Sequence, residues 1–266
     1  MKKILERLVK GEISIEETEK LLKLSFIEKV GNIAKVDVGR EFRKGIPEII
    51  LAFGKAPKDV AKIALHMMKK RGRVIISRAD DKCIRVLKKM AISDANLFIN
   101  KRAGMIVIKR KDFKIEKTGG KIGIITAGTA DIPIAEEAKI IAEEMGCDVF
   151  TAYDVGVAGI HRLFHPLKIM LKEDVDAIIV IAGMEGALPT LVASLVDVPV
   201  IGVPTSLSFG FGERGTSALM AMLQACPLGL SVVNIDNGVA AGAFASLIAN
   251  RVAIKGNKNI FKSNVK

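Results

Sequence analysis

From residue 121 onward the apolar positions follow two alternating rules. Short continuous runs at 122–127, 149–153, 177–182, 198–203 and 230–235 read as strands. Between them, 133–145, 160–171, 186–195, 214–224 and 238–250 carry apolar residues at helical spacing. A strand without polar alternation needs cover on both faces, and parallel neighbours need a helical crossover to return the chain. Five such units predict an α/β, flavodoxin-like three-layer domain with a five-stranded parallel sheet.

The preceding pattern is less regular. It predicts two short helices, one over 2–9 and one opened by a capping box of Ser14 and Glu17. Strands over 33–38 and 49–53, a helix over 57–70, a strand over 74–77 and a helix over 80–90 follow. A hairpin-like pair over 96–99 and 105–108 completes a smaller α/β or α+β domain. The basic run 109–121, ending in Gly119-Gly120, reads as a linker, so domains are expected over 1–118 and 119–266. A chain of 266 residues suits two modest domains, and 50% hydrophobic residues are enough for packed cores.

Charge separates the two halves. Residues 1–120 carry 30 basic and 15 acidic side chains, against 11 and 14 in 121–266. Solvated lysines on helix faces account for most of the excess, while Arg40, Arg43 and Lys44 beside Glu41 offer a possible phosphate contact. Nucleic-acid binding calls for interleaved aromatics or a recognisable module. Neither is visible: Trp is absent and Tyr153 is the one tyrosine. Three widely spaced cysteines (Cys83, Cys147, Cys226) suit a reducing cytosol rather than a disulfide framework. Glu6 and Arg7 interrupt any signal-peptide core, and 177–184 is too short for a bilayer. The expectation is a cytoplasmic protein with no membrane partner.

In an open parallel sheet, ligands bind beyond the carboxyl ends of the strands. Those ends carry Gly128-Thr129-Ala130-Asp131, then Asp154-Val155-Gly156 leading to His161-Arg162, then Gly183-Met184-Glu185-Gly186. The fourth leads to Ser206 and to Gly210-Phe211-Gly212-Glu213-Arg214-Gly215, the fifth to Asp236-Asn237. Small residues and carboxylates at all five ends point to a phosphorylated small molecule.

Gly210–Gly215 fits G-x-G-x-x-G, but that fingerprint belongs in the first strand-to-helix turn and here follows the fourth strand. It reads better as a glycine loop over a ligand. His161 and His165 share one helix face without a third nearby Cys or His, so a zinc site is not predicted. Free cysteines usually serve as small buried hydrophobes. Cys226 precedes the fifth strand and so falls at the amino end of the sheet. If it is catalytic, another subunit must carry it to the crevice, which implies a homo-oligomer with shared sites.

Residues 121–251 resemble the aminoimidazole ribonucleotide carboxylase/mutase (PurE) family of purine synthesis. Gly128-Thr129-Ala130-Asp131-Ile132-Pro133 is similar to that family's phosphate loop, and Ala158-Gly159-Ile160-His161-Arg162 to its histidine-arginine segment. Leu188-Pro189, Val198-Pro199-Val200-Ile201-Gly202-Val203-Pro204 and Asn234-Ile235-Asp236-Asn237 extend the likeness. Three features depart from it: Ala182-Gly183-Met184-Glu185-Gly186, the 206–215 loop, and Cys226. With Arg40-Glu41-x-Arg43-x-Gly45-x-Pro47-Glu48 upstream, these resemble the LarB family.

That resemblance implies a carboxylase/hydrolase that takes nicotinic acid adenine dinucleotide and CO2 or bicarbonate to pyridinium-3,5-biscarboxylic acid mononucleotide and AMP, for a nickel-pincer cofactor. It implies Cys226 as the nucleophilic thiolate and Glu185 as base, with Asp131 the second candidate and His161 positioning a carboxylate or phosphate. Magnesium with Arg162 or Arg214 would neutralise the pyrophosphate, and no tightly bound organic cofactor is expected. The alternatives are a PurE-type mutase using His161, or a non-enzymatic nucleotide-binding or nucleic-acid-binding regulator.

Overall fold

The computed structural model describes residues 2–24, 27–90 and 94–263. The chain divides into two units, Met1–Ile99 with Ile106–Phe113, and Asn100–Met105 with Lys114–Lys266.

The first unit opens with α1 (Lys2–Val9) and α2 (Ile15–Leu24), where the Glu17 amide donates to Ser14 Oγ at 3.1 Å, the expected cap. β1 (Ile27–Val30) and β2 (Ala34–Asp37) form an antiparallel hairpin, and α3 (Arg40–Lys44) follows. Neither β1 nor α3 is evident in the sequence pattern, because both are shorter than the window in which periodicity shows. Next come β3 (Ile49–Leu51), α4 (Pro57–Arg71), β4 (Arg73–Ser77), α5 (Asp81–Lys89), β5 (Ala95–Asn100) and β6 (Met105–Arg110). β3 is shorter than the expected strand: Phe53 is exposed, and Gly54 at φ 73° turns the chain. The sheet order is β3-β4-β6-β5, parallel between β3 and β4 and antiparallel between β4 and β6, so this unit is α+β. Its core lies where α4 and α5 pack on β4 and β6 through Val60, Ala64, Leu87, Ile76 and Ile106.

The second unit contains β7 (Lys121–Thr126), α6 (Ile132–Glu144), β8 (Asp148–Ala152), α7 (His161–Lys172), β9 (Ala177–Ala182) and α8 (Ala187–Ala193). β10 (Val200–Pro204), α9 (Thr216–Leu223), β11 (Leu230–Val232) and α10 (Gly238–Ser263) complete it. All pairings are parallel, in the order β11-β10-β9-β7-β8. This is the five-stranded flavodoxin-like arrangement, with strand order reversing between β7 and β9. Every residue of β9 and β10 is buried, which explains their unbroken apolar runs. One face is covered by α7, α8 and α9 and the other by α6 and α10.

β11 ends three residues earlier than its apolar run suggested, and α10 runs past the expected stop at Asn250. Asn250 does not cap the helix, because its side chain is engaged elsewhere. Its Oδ1 accepts from Thr118 Oγ1 at 2.6 Å and Cys147 Sγ at 3.2 Å, and its Nδ2 donates to the Met145 carbonyl. Among the described residues, no helix is long and apolar enough to cross a membrane.

Candidate active site

A cavity of about 370 Å³ opens beyond the carboxyl ends of β7, β8 and β9, at the reversal of strand order. The reason is geometric: crossovers leave in opposite directions from the two adjacent strands, and their loops part to leave a crevice. The lining unites Gly128, Ala130 and Asp131 after β7, Asp154, Gly156 and Arg162 after β8, and Gly183 and Glu185 after β9. Val157, Met184, Leu188 and Leu207 supply an apolar wall.

Asp131 is 5% exposed. Its Oδ1 accepts from Thr205 Oγ1 at 2.8 Å, and its Oδ2 accepts from the Gly128 amide at 2.9 Å. Burial pushes the carboxyl above the ordinary aspartate range, and the charge of Asp236 adds to this, while the two donors pull the other way. Glu185, by contrast, is exposed at the mouth of the same cavity.

Asp154 and Arg162 pair at 2.8 Å, and the Asp154 amide donates to Thr126 Oγ1. Four non-glycine residues adopt left-handed backbone around this end of the sheet: Asp154 (φ 59°), Met184 (φ 51°), Arg214 (φ 48°) and Asp236 (φ 56°). Such conformations persist only where surrounding structure enforces them, and they cluster at binding sites. Two glycines have steric reasons. A Cβ on Gly156 would stand 2.7 Å from the Ala127 carbonyl, and one on Gly186 2.7 Å from the Ala218 carbonyl.

Other sequence candidates lie outside the lining. Thr129 is exposed between two lining residues, and His161 is exposed at the head of α7. Ser206 donates its backbone amide to Asp236 Oδ1 at 2.8 Å, which ties the loop after β10 to the loop after β11. Asn237 caps α10 by accepting from the Ala240 amide at 3.0 Å. Gly210, Gly212 and Arg214 lie in a 3₁₀ segment, Gly210–Gly215, of which none lines the cavity; Leu207 is what this loop contributes. Cys83 and Cys147 are buried, as most free cysteines are, but Cys226 is exposed. It lies between α9 and β11, at the amino end of the sheet.

In the first unit, Arg40 pairs with Glu48 at 2.8 Å, Arg43 with Asp37, and buried Arg73 with Glu41. The arginines that looked free for phosphate have carboxylate partners, which makes this motif an internal ion-pair network. Thr126 and Thr205 were passed over in the sequence. The signal in the sequence was a polar residue closing an apolar run; in the fold both are fully buried.

Among the described residues, no group of three or more His, Cys, Asp or Glu side chains could hold a metal ion.

Fold and crevice together define a flavodoxin-like α/β domain with an open cavity at its switch point. A family profile for AIR carboxylase matches residues 121–263, and one for a LarB/PurE-like N-terminal domain matches residues 27–110. An uncharacterized protein of Methanocaldococcus jannaschii is 48% identical over 241 residues, covering 90% of this chain and 93% of that one. The N5-carboxyaminoimidazole ribonucleotide mutases of Thermotoga maritima and M. jannaschii are 32% and 33% identical, covering 48% and 53% of this chain and 74% and 83% of their own. The chain belongs to the AIR carboxylase family, in the LarB form that joins a LarB/PurE-like N-terminal domain to a PurE-like domain. It falls within the PurE-like carboxylase/mutase superfamily of enzymes.

Proposed function

We propose that this carboxylase-type enzyme acts on nicotinic acid adenine dinucleotide, carboxylating its pyridinium ring and cleaving its phosphoanhydride to give pyridinium-3,5-biscarboxylic acid mononucleotide and AMP. The product would serve nickel-pincer cofactor synthesis in the cytoplasm. The observation that carries this reading is the carboxylate of Glu185 in a crevice wall that also holds Asp131 and an apolar surface, in a chain with a LarB-type N-terminal domain.

A pyridinium ring is electrophilic and cannot itself attack CO2. A thiolate adding at ring carbon 4 places its electron pair in a 1,4-dihydropyridine, whose carbon 5 is an enamine nucleophile. Carbon 5 then bonds to CO2, a base removes the carbon 5 proton, and the returning electron pair expels the thiolate to restore aromaticity. Cys226 is the thiolate in this reading, Glu185 the first candidate base and Asp131 the second. His161 and Arg162 would steady the anionic groups of the substrate. The hydrolytic half adds water across the phosphoanhydride; magnesium, if used, would travel with the phosphates.

Cys226 and the crevice are at opposite ends of one sheet, so in this reading the Cys226 of one copy serves the crevice of another. The surroundings of Cys226 suit burial by a second copy: Met220, Leu223 and Leu228 are 65%, 67% and 93% exposed. Side chains of this kind rarely cluster on a face left to solvent.

The test is mass spectrometry of purified protein with nicotinic acid adenine dinucleotide, bicarbonate and magnesium, beside a Cys226→Ala control. Formation of AMP and the dicarboxylated mononucleotide, absent in the control, is the expected result. Absence of turnover with the wild type would shift the reading to aminoimidazole ribonucleotide, which the mutase relatives favour.

A further inference from the structure

The crevice has an electrostatic imbalance that its lining does not resolve. Asp131, Asp154 and Glu185 face it, and the one cation among the described lining residues, Arg162, is paired with Asp154. Such a wall suits a cationic ring. A phosphate chain needs a second cation beside Arg162, whose charge Asp154 already offsets.

That cation stands one residue away. The second unit includes Asn100–Met105, a turn between β5 and β6. Asn100 Oδ1 closes the turn by accepting from the Ala103 amide at 3.1 Å. Its Nδ2 donates to Glu136 Oε2 at 2.8 Å, and Glu136 Oε1 accepts from the Tyr153 hydroxyl at 2.6 Å. This chain fixes the turn against α6. Arg102, exposed on the turn, donates from Nη2 to the Thr129 carbonyl at 2.7 Å, and Thr129 lies between the lining residues Gly128 and Ala130. One of five guanidinium donors is thereby used, and among the described residues no carboxylate pairs with Arg102.

We propose that Arg102 is a further substrate-binding residue, the cation that takes the phosphate chain of the ligand at the 128–130 rim. The proposal rests on the nucleotide reading of the crevice and names which end of the ligand leaves it past Arg102. A planar guanidinium anchored by one N–H keeps a second edge for bidentate contact with phosphate oxygens.

Titration calorimetry of the full chain with two probes, nicotinic acid adenine dinucleotide and inorganic pyrophosphate, tests it on wild type, Arg102→Gln and Arg102→Lys. Loss of a charged hydrogen-bond donor should weaken both probes by about tenfold or more in Arg102→Gln. Arg102→Lys should recover part of the loss, with melting temperatures unchanged and the steady-state effect in KM rather than kcat. Wild-type binding of pyrophosphate that depends on Arg102, without binding of the dinucleotide, would keep this inference and sink the substrate assignment. Unchanged affinities in Arg102→Gln, no binding of either probe to wild type, or equal losses in both variants with lowered melting temperatures would overturn it.

Discussion

Thr205 Oγ1 donates to Asp131 Oδ1 at 2.8 Å across the carboxyl end of β9, joining the loop after β7 to the residue after β10. The bond passes over Gly183, where a Cβ would stand 2.8 Å from Thr205 Oγ1. A glycine between two strand ends thus lets a buried threonine reach a buried carboxyl. The bond helps to position Asp131, a wall residue of the crevice, and opposes the upward push of burial on its carboxyl.

Thr205→Val keeps the shape and removes the donor. Leaving a buried carboxylate short of a partner costs about 1–3 kcal/mol, which urea denaturation at neutral pH should show as a lowered midpoint. An unchanged midpoint would mean that Asp131 gains nothing from this bond.

Asp131 also predicts a pH dependence. Its carboxyl is raised above 3.8 in the folded chain, so the fold binds the proton more tightly than the unfolded chain does. The associated stability is fully present below pH 3.8 and is lost as pH rises through the folded value. Asp131→Asn should flatten that part of the profile, so the stability difference, variant minus wild type, grows with pH from 3.8 upward and then levels. Parallel curves for the two proteins would contradict the raised affinity.

Tyr153 can be titrated alone, since it is the one tyrosine and tryptophan is absent. Burial raises its hydroxyl first, and the hydrogen bond to Glu136 raises it further, above the usual value of 10. Phenolate absorbance should therefore stay low at pH 10 in the folded protein and appear there once urea unfolds it. A normal midpoint in the folded state would show that the Tyr153–Glu136 bond does not form.

α10 lies against α6 at van der Waals limits. A Cβ on Gly242 would stand 2.5 Å from the Ala138 carbonyl, which is backbone and cannot swing aside. Gly242→Ala should destabilise by about 1–3 kcal/mol despite the gain in helix propensity, read as a lower melting temperature. A stabilised variant would argue against this packing.

Shared sites predict complementation. Cys226→Ala and Glu185→Gln should each be inactive alone. After mixing, unfolding and co-refolding, some sites would take an intact Cys226 from one copy and an intact Glu185 from another, and turnover should partly return. No recovery in verified mixed oligomers would place both groups in one chain's site.

Much of the second unit could be read directly from the chain. Burial on two faces enforces unbroken apolar runs, and parallel pairing enforces a helix between each pair of runs, so the five-unit pattern carried the sheet within it. Glycines and carboxylates at the strand ends likewise marked Gly128, Asp131, Asp154, Gly156, Gly183 and Glu185, because ligands bind where strands end. What the linear pattern left open was pairing between side chains distant in sequence. Asp37, Glu41 and Glu48 meet Arg43, Arg73 and Arg40, and Asn237 caps a helix, while Asn250 binds 118 and 145–147 instead of ending one. Strand order also lay beyond the pattern: β7 is inserted between β8 and β9, and only that insertion opens the crevice. Local spacing of apolar groups was enough to mark the longer strands and helices, while the short β1 and α3 gave no such signal. The tertiary structure alone decided which polar groups meet, because a hydrogen bond depends on distances of a few ångströms between residues as far apart as Arg102 and Thr129 or Asp131 and Thr205.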